Sequence, residues 1–170
     1  DLKADIKQQL TKERTAERDR VYESQLVQEI TEKSTVDVPQ ELINDQIERD
    51  LTQLKQNLSY RGQTYQEFLE LELTTDEKYR KEVLTPNATN RVKAGLVLSE
   101  IAEAENLEVK PAELETRIKE LKTQYTDDAM QAELDKPENR RDIAARLLTE
   151  KTIDKLVELA NSWCILTNVV

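Results

Sequence analysis

Four carboxylates crowd one short stretch, at Asp127, Asp128, Glu133 and Asp135. The chemistry such a group could do is to hold a calcium ion. The spacing lacks the turn glycine and the closing glutamate of a hand-type calcium loop, so the stretch reads as a solvated acidic loop. Other reactive groupings are ruled out by what the chain does not contain. There is no histidine, which removes Ser-His-Asp and Cys-His nucleophilic sites together with the commonest transition-metal ligand. Cys164 is the one cysteine; with no imidazole to activate it, it reads as an inert thiol. Gly62 and Gly95 are isolated, so no phosphate-cradling loop can form. Asn57-Leu58-Ser59 and Asn87-Ala88-Thr89 match the glycosylation pattern, but both sit beside expected helix ends, where Asn, Ser and Thr serve as caps. No pair of acids stands out for hydrolysis. The residues point to no catalysis and to no cofactor or metal.

What remains is apolar surface, and its meaning depends on the elements that carry it. Of the 170 residues, 37% are apolar and 35% charged, with only 2 glycines. Globular domains usually hold roughly 45–50% apolar residues. The balance fits long helices with narrow apolar stripes and wide wet faces. The net charge is −10, with acids and bases mixed along the chain, so no concentrated basic surface for nucleic acid is present. No run approaches the ~18 apolar residues of a membrane span.

One stretch occurs twice at an offset of 71 residues. Arg20-Val21, Leu26-Val27, Glu29-Ile30, Glu32 and Val36-Asp37-Val38 match Arg91-Val92, Val97-Leu98, Glu100-Ile101, Glu103 and Leu107-Glu108-Val109. Pro39 is followed in the second copy by Pro111 after a one-residue slip, and Ile43 and Ile47 match Leu114 and Ile118. Repetition of a helix, a short link and a proline-started helix predicts two helical-hairpin arms on a common base. The expected fold class is all-α and extended, with a concave cradle between base and arms. The expected divisions are a base helix over 1–36, arm 1 over 37–106, arm 2 with a closing helix over 107–162, and a tail over 163–170.

Apolar spacing predicts one base helix over about Leu2–Lys33, packed at both ends and exposed in the middle. Leu42, Ile43, Ile47, Leu51, Leu54 and Leu58 make the next helix amphipathic. Thr64-x-x-Glu67 reads as a capping box, and Thr74-x-x-Glu77 as the start of a further helix. Pro86 predicts a break or kink at Thr85. Asp135-x-Pro137 opens the last long helix, and the uncharged segment from Asn161 to Val170 is expected to fold back on the base.

Tyr60, Tyr65, Phe68, Leu69, Leu71 and Leu73 cluster at the far end of the first hairpin, and Tyr125, Met130 and Leu134 at the far end of the second. Exposed clusters of this kind mark interaction sites, and methionine and aromatic side chains adapt to varied partners.

The run Val36-Asp37-Val38-Pro39, with Leu42, Ile43 and Ile47, resembles the start of the first arm in the C-terminal domain of the trigger factor family, bacterial ribosome-associated chaperones. Ala88, Arg91-Val92, Leu96-Val97-Leu98 and Glu100-Ile101-Ala102, continuing into Leu107, Val109 and Glu113-Leu114, resemble the entry to the second arm. Leu2-Lys3-Ala4-Asp5-Ile6 is similar to the helix leading into the domain. The resemblance reaches about Ala160. Nothing resembles the family's Gly-Phe-Arg-x-Gly docking loop or its prolyl isomerase domain, so it implies an excised C-terminal chaperone domain of a cytoplasmic bacterial protein. The partners it implies are unfolded or nascent polypeptides, with ribosome contact only through an N-terminal domain absent here. Neither nucleic acid nor membrane is expected as a partner, and a weak homodimer is left open. The rival readings are the chaperone region of a periplasmic parvulin-linked protein, a helical scaffold that binds one folded partner and, more distantly, a hydrolase.

Overall fold

The computed structural model describes residues 2–124 and 127–167. Among them every regular element is helical. In chain order these are α1 (Leu2–Lys33), α2 (Gln40–Tyr60), α3 (Tyr65–Leu71), α4 (Asp76–Tyr79), a π-helical segment (Arg80–Leu84), α5 (Thr85–Ala104), α6 (Pro111–Lys122), α7 (Asp128–Leu134) and α8 (Pro137–Thr167). The all-α expectation holds. The chain divides into two compact units, 30–97 and 1–29 with 98–170. None of the described helices is long and apolar enough to cross a membrane.

In the 30–97 unit, the stripe on α2 does what its spacing predicts. Ile43, Ile47 and Leu51 are buried in one cluster with Leu84 and Ala88 of the returning rod, and Val38, Tyr65 and Tyr79 pack against its edge. Repeats at i, i+4 and i+8 put the three α2 side chains on one face, so a single partner face covers them.

The rod facing α2 departs from expectation. Of the break or kink expected at Pro86, the break does not occur: α4, the π segment and α5 follow one another without interruption. Thr85 is plainly helical, at φ −61 and ψ −50. A regular helix would set the proline ring against the Glu82 carbonyl and leave that carbonyl without its N–H donor. Here the turn before it is widened instead. The Thr85 N–H reaches back five residues to the Arg80 carbonyl, and its hydroxyl donates to the same oxygen at 2.8 Å. A π turn of this kind carries the chain past a proline without ending the helix.

The other unit is built around α6 and α8, which contact each other, with α7 touching both. Ile118 is buried, as is Ile47, its counterpart in the repeat. The helix starts keep the offset too. The Pro39 carbonyl accepts the first N–H bonds of α2, and the Lys110 carbonyl those of α6. The one-residue slip moves the proline from the cap to the first helical position, where a missing N–H costs nothing.

Two further expectations need correction. The N-terminal end of α1 is not packed: Ile6 and Leu10 are about half exposed, and so is Val21. Only toward its C-terminal end do Leu26, Val27 and Ile30 become half-buried, with Thr31 buried. Nor does the chain turn back at Asn161, because α8 continues to Thr167. A helix needs no charge to continue, and this segment has neither glycine nor proline to stop it. Residues 168–170 lie outside the described residues.

Candidate functional site

The far end of the 30–97 unit is shaped by two successive helix stops. Helix α2 ends in a Schellman motif: Gln63 N–H bonds the Leu58 carbonyl and Gly62 N–H the Ser59 carbonyl, both at 3.0 Å. Gly62 takes the left-handed position at φ +71, where the lack of a Cβ avoids strain. Helix α3 begins with the capping box predicted for it. Thr64 N–H bonds the Glu67 carboxylate at 2.7 Å, and the Glu67 N–H returns to the Thr64 hydroxyl at 3.2 Å. The Thr64 N–H, followed by the Thr64 hydroxyl donating to the same carboxylate at 2.9 Å, pulls the Glu67 carboxyl below its ordinary value. The next cap is Thr75 rather than the expected Thr74, its hydroxyl accepting the Lys78 N–H at 3.3 Å.

Helix α3 ends in a second Schellman motif, with Thr74 N–H on the Leu69 carbonyl and Leu73 N–H on the Glu70 carbonyl. Its left-handed residue is Leu73, at φ +51. At the end of α5 the same position holds Asn106, at φ +52. Asn tolerates this conformation, whereas a leucine there is strained by roughly 1–2 kcal/mol. The Leu73 side chain gains nothing from burial in return, for it is 90% exposed.

The predicted site residues of this tip fall into two sets. Tyr60 and Leu71 stand out in solvent with Leu73, at 90% and 75% exposure. Leu71 shares a shallow recess of about 440 Å³ with Gly62, Gln63, Glu67 and Glu70. Tyr65, Phe68 and Leu69 turn the other way. Leu69 is buried and so does not belong to the exposed patch. Tyr65 and Phe68 are half-buried and stack at 6.2 Å, while Phe68 meets Tyr79 edge-on at 5.4 Å. Positions 65, 68 and 69 lie within about a third of a turn of each other, and 71 lies at the edge of that arc, about 60° beyond 68.

The inward set roots α3 in its neighbours. Tyr65 donates to Asp76 at 2.9 Å, Arg80 bridges Asp76 and Glu48 at 3.0 and 2.6 Å, and Lys55 lies 5.2 Å from the Tyr65 ring centre. Burial, followed by the bond to Asp76, pushes the Tyr65 hydroxyl up to about 12. Sequence reasoning placed Tyr79 on a helix but missed it as the third ring of this cluster. Its spacing from Pro86 gave no hint, because the π segment changes the phase between them.

At the α7 end of the other unit, Met130 is 53% exposed and Leu134 half-buried. Tyr125 lies outside the described residues. Of the four carboxylates weighed for calcium, Asp135 pairs with Lys122 at 2.6 Å and Glu133 with Lys136 at 2.6 Å.

The model of the family "Bacterial trigger factor protein (TF) C-terminus" matches residues 1–158. The chain belongs to the trigger factor family. Among curated relatives, a trigger factor of Thermoanaerobacter sp. (strain X514) is 36% identical over 74% of this chain and 29% of its own length. That of Clostridium tetani is 32% identical over 93% of the chain and 36% of its own length. That of Agathobacter rectalis is 27% identical over 95% and 38%. The chain thus spans about a third of the trigger factors it matches. No solved structure gives a significant match. The matched region is the C-terminal, chaperone part of trigger factor and not its prolyl isomerase part.

Proposed function

We propose that this domain holds unfolded or nascent polypeptide, without ATP, on dispersed apolar patches of which the α3 tip is the principal one. The observation that carries the reading is the outward set of Tyr60, Leu71 and Leu73, each at least three-quarters exposed. Leu73 adds a second argument. A strained leucine with its side chain in water stabilises nothing in the fold, so its use must lie outside it.

Fully covering one such side chain contributes roughly 1.5–3 kcal/mol before ordering costs are subtracted. A patch of three gives weak, rapidly reversible binding, and further patches such as Met130 add avidity along one client chain. In this reading 1–36 forms a base, 37–106 the first arm, and 107–162 the second arm with a closing helix. Contact with a ribosome, and any isomerase activity, would belong to the remaining two-thirds of such a protein.

Replacing Tyr60, Leu71 and Leu73 together by serine tests this. Light scattering of a chemically denatured client, diluted into buffer with the domain, should need several-fold more variant than wild type for equal suppression. The helical circular dichroism signal should not change. Equal suppression by both proteins would overturn the tip assignment. Serine at Tyr65 and Phe68 is a poorer test, because it removes the packing that roots α3.

A further inference from the structure

A recess of about 650 Å³ in the 30–97 unit lies between α2 and the rod formed by α4, the π segment and α5. Four carboxamides line it: Gln53 and Asn57 from α2, Asn87 and Asn90 from α5. All four are exposed, and among the described residues none of their side chains bonds to another protein group. Elsewhere on α2, Gln40 bonds Asn44 and Gln46 bonds Asp50. Leu54, Val83 and Leu84 supply an apolar floor. One end is fixed by Arg91, which pairs with Asp50 at 2.8 Å.

A carboxamide carries one acceptor and two donors, the same complement as a peptide group, and can bond a peptide N–H and C=O at once. The spacing also suits a peptide. Residues i and i+4 of a helix, such as Gln53 and Asn57, are about 6 Å apart along its axis. Peptide groups on one side of an extended chain recur about every 6.6–6.8 Å. Asparagine at positions 57 and 87 serves no capping purpose here, since both lie inside helices.

Resting on the chaperone reading above, we infer that this groove binds the main chain of an extended client segment. Gln53, Asn57, Asn87 and Asn90 hold its peptide groups, and Leu54, Val83 and Leu84 take whichever small apolar side chain points inward. The recognition is of backbone rather than sequence. It gives the domain a second kind of contact, suited to client stretches with few large apolar residues.

The test uses a fluorescent twelve-residue alanine-serine peptide and the same peptide N-methylated at alternate residues, each titrated into the chain. Methylation removes N–H donors and leaves composition nearly the same. Wild type should bind the unmethylated peptide about tenfold more tightly. The variant carrying Asn57→Ala and Asn87→Ala, both exposed helical positions where alanine is well tolerated, should lose most of that preference. Binding that ignores methylation, or a preference that survives the substitutions, overturns the groove and leaves the tip reading standing. If neither peptide binds while client aggregation is still suppressed, the groove again fails alone. If suppression is absent as well, both fail.

Discussion

Helices α2 and α6 begin from copies of one sequence pattern, but apolar contacts and ion pairs hold them to their partners in different proportion. In the 30–97 unit, the contact between α2 and its partner rod is centred on an apolar cluster of Ile43, Ile47, Leu51, Leu84 and Ala88, with ion pairs from Glu48 to Arg80 and Asp50 to Arg91 at its edge. Between α6 and α8, ion pairs take a larger share. Lys151 meets Glu113 at 2.9 Å and Arg117 meets Glu150 at 2.8 Å, while Arg140 also pairs with Glu115. Lys122 reaches Asp135 just ahead of α8 at 2.6 Å. Exposed pairs of this type contribute little each and are screened by salt, whereas buried leucine is indifferent to salt. The repeat therefore predicts where helices start and which residue is central, but not how firmly each unit holds.

The largest effect that would sharpen the contrast comes from Leu51→Ala. Removing this nearly inaccessible side chain should destabilise the 30–97 unit by about 3 kcal/mol. The loss, read by urea denaturation, should be the same at low and high salt. In wild type, raising salt should lower hydrogen-exchange protection in α6 and α8 more than in α2. An equal response in both units would break the distinction.

The caps give a smaller effect with opposite signs. Leu73→Gly relieves strain of roughly 1–2 kcal/mol against a glycine entropy cost of about 0.5–1 kcal/mol. It should raise the melting temperature slightly while weakening client holding. Gly62→Ala puts a Cβ in the left-handed position in open space, so it should destabilise by about 1 kcal/mol through backbone strain alone. A Leu73→Gly variant that is less stable would show that the leucine supports the fold after all.

The smallest effect is on acidification. The Lys151 ammonium, followed by the Lys110 N–H, holds the Glu113 carboxyl below its ordinary 4.5. A carboxyl depressed in the folded state stabilises above pH 4.5 and loses that contribution as pH falls through its folded value. Glu67 is lowered likewise, but by the Thr64 hydrogen bonds and not by a cation. Carboxyl titration by NMR should thus find that added salt raises the Glu113 value and leaves Glu67 in place.

Much of this was legible in the residues. Stepping of four on α2 and the Thr64–Glu67 box fixed their elements nearly to the residue, because each depends on neighbours in sequence. The widened turn before Pro86 was not legible, since proline chemistry alone favours a break and the bonds from Thr85 to the Arg80 carbonyl that carry the helix past it leave no mark in the sequence. Ile6 and Leu10 were misjudged for a related reason: an apolar stripe announces a partner but cannot say whether one is present. The inward side of α3, with Tyr65, Phe68 and Leu69, was legible from periodicity, but Leu71 sits beside Phe68 on the helix and its exposure was not. Nor was the conformation of Leu73, because nothing in its neighbours reveals a left-handed backbone.

The most direct test of the central claim is a methyl NMR titration of the leucine-labelled chain with a permanently unfolded polypeptide. The account predicts that the Leu71 and Leu73 methyl signals shift first and furthest, with buried Leu51 and Leu69 unmoved. Saturable binding that leaves Leu71 and Leu73 where they were would contradict it.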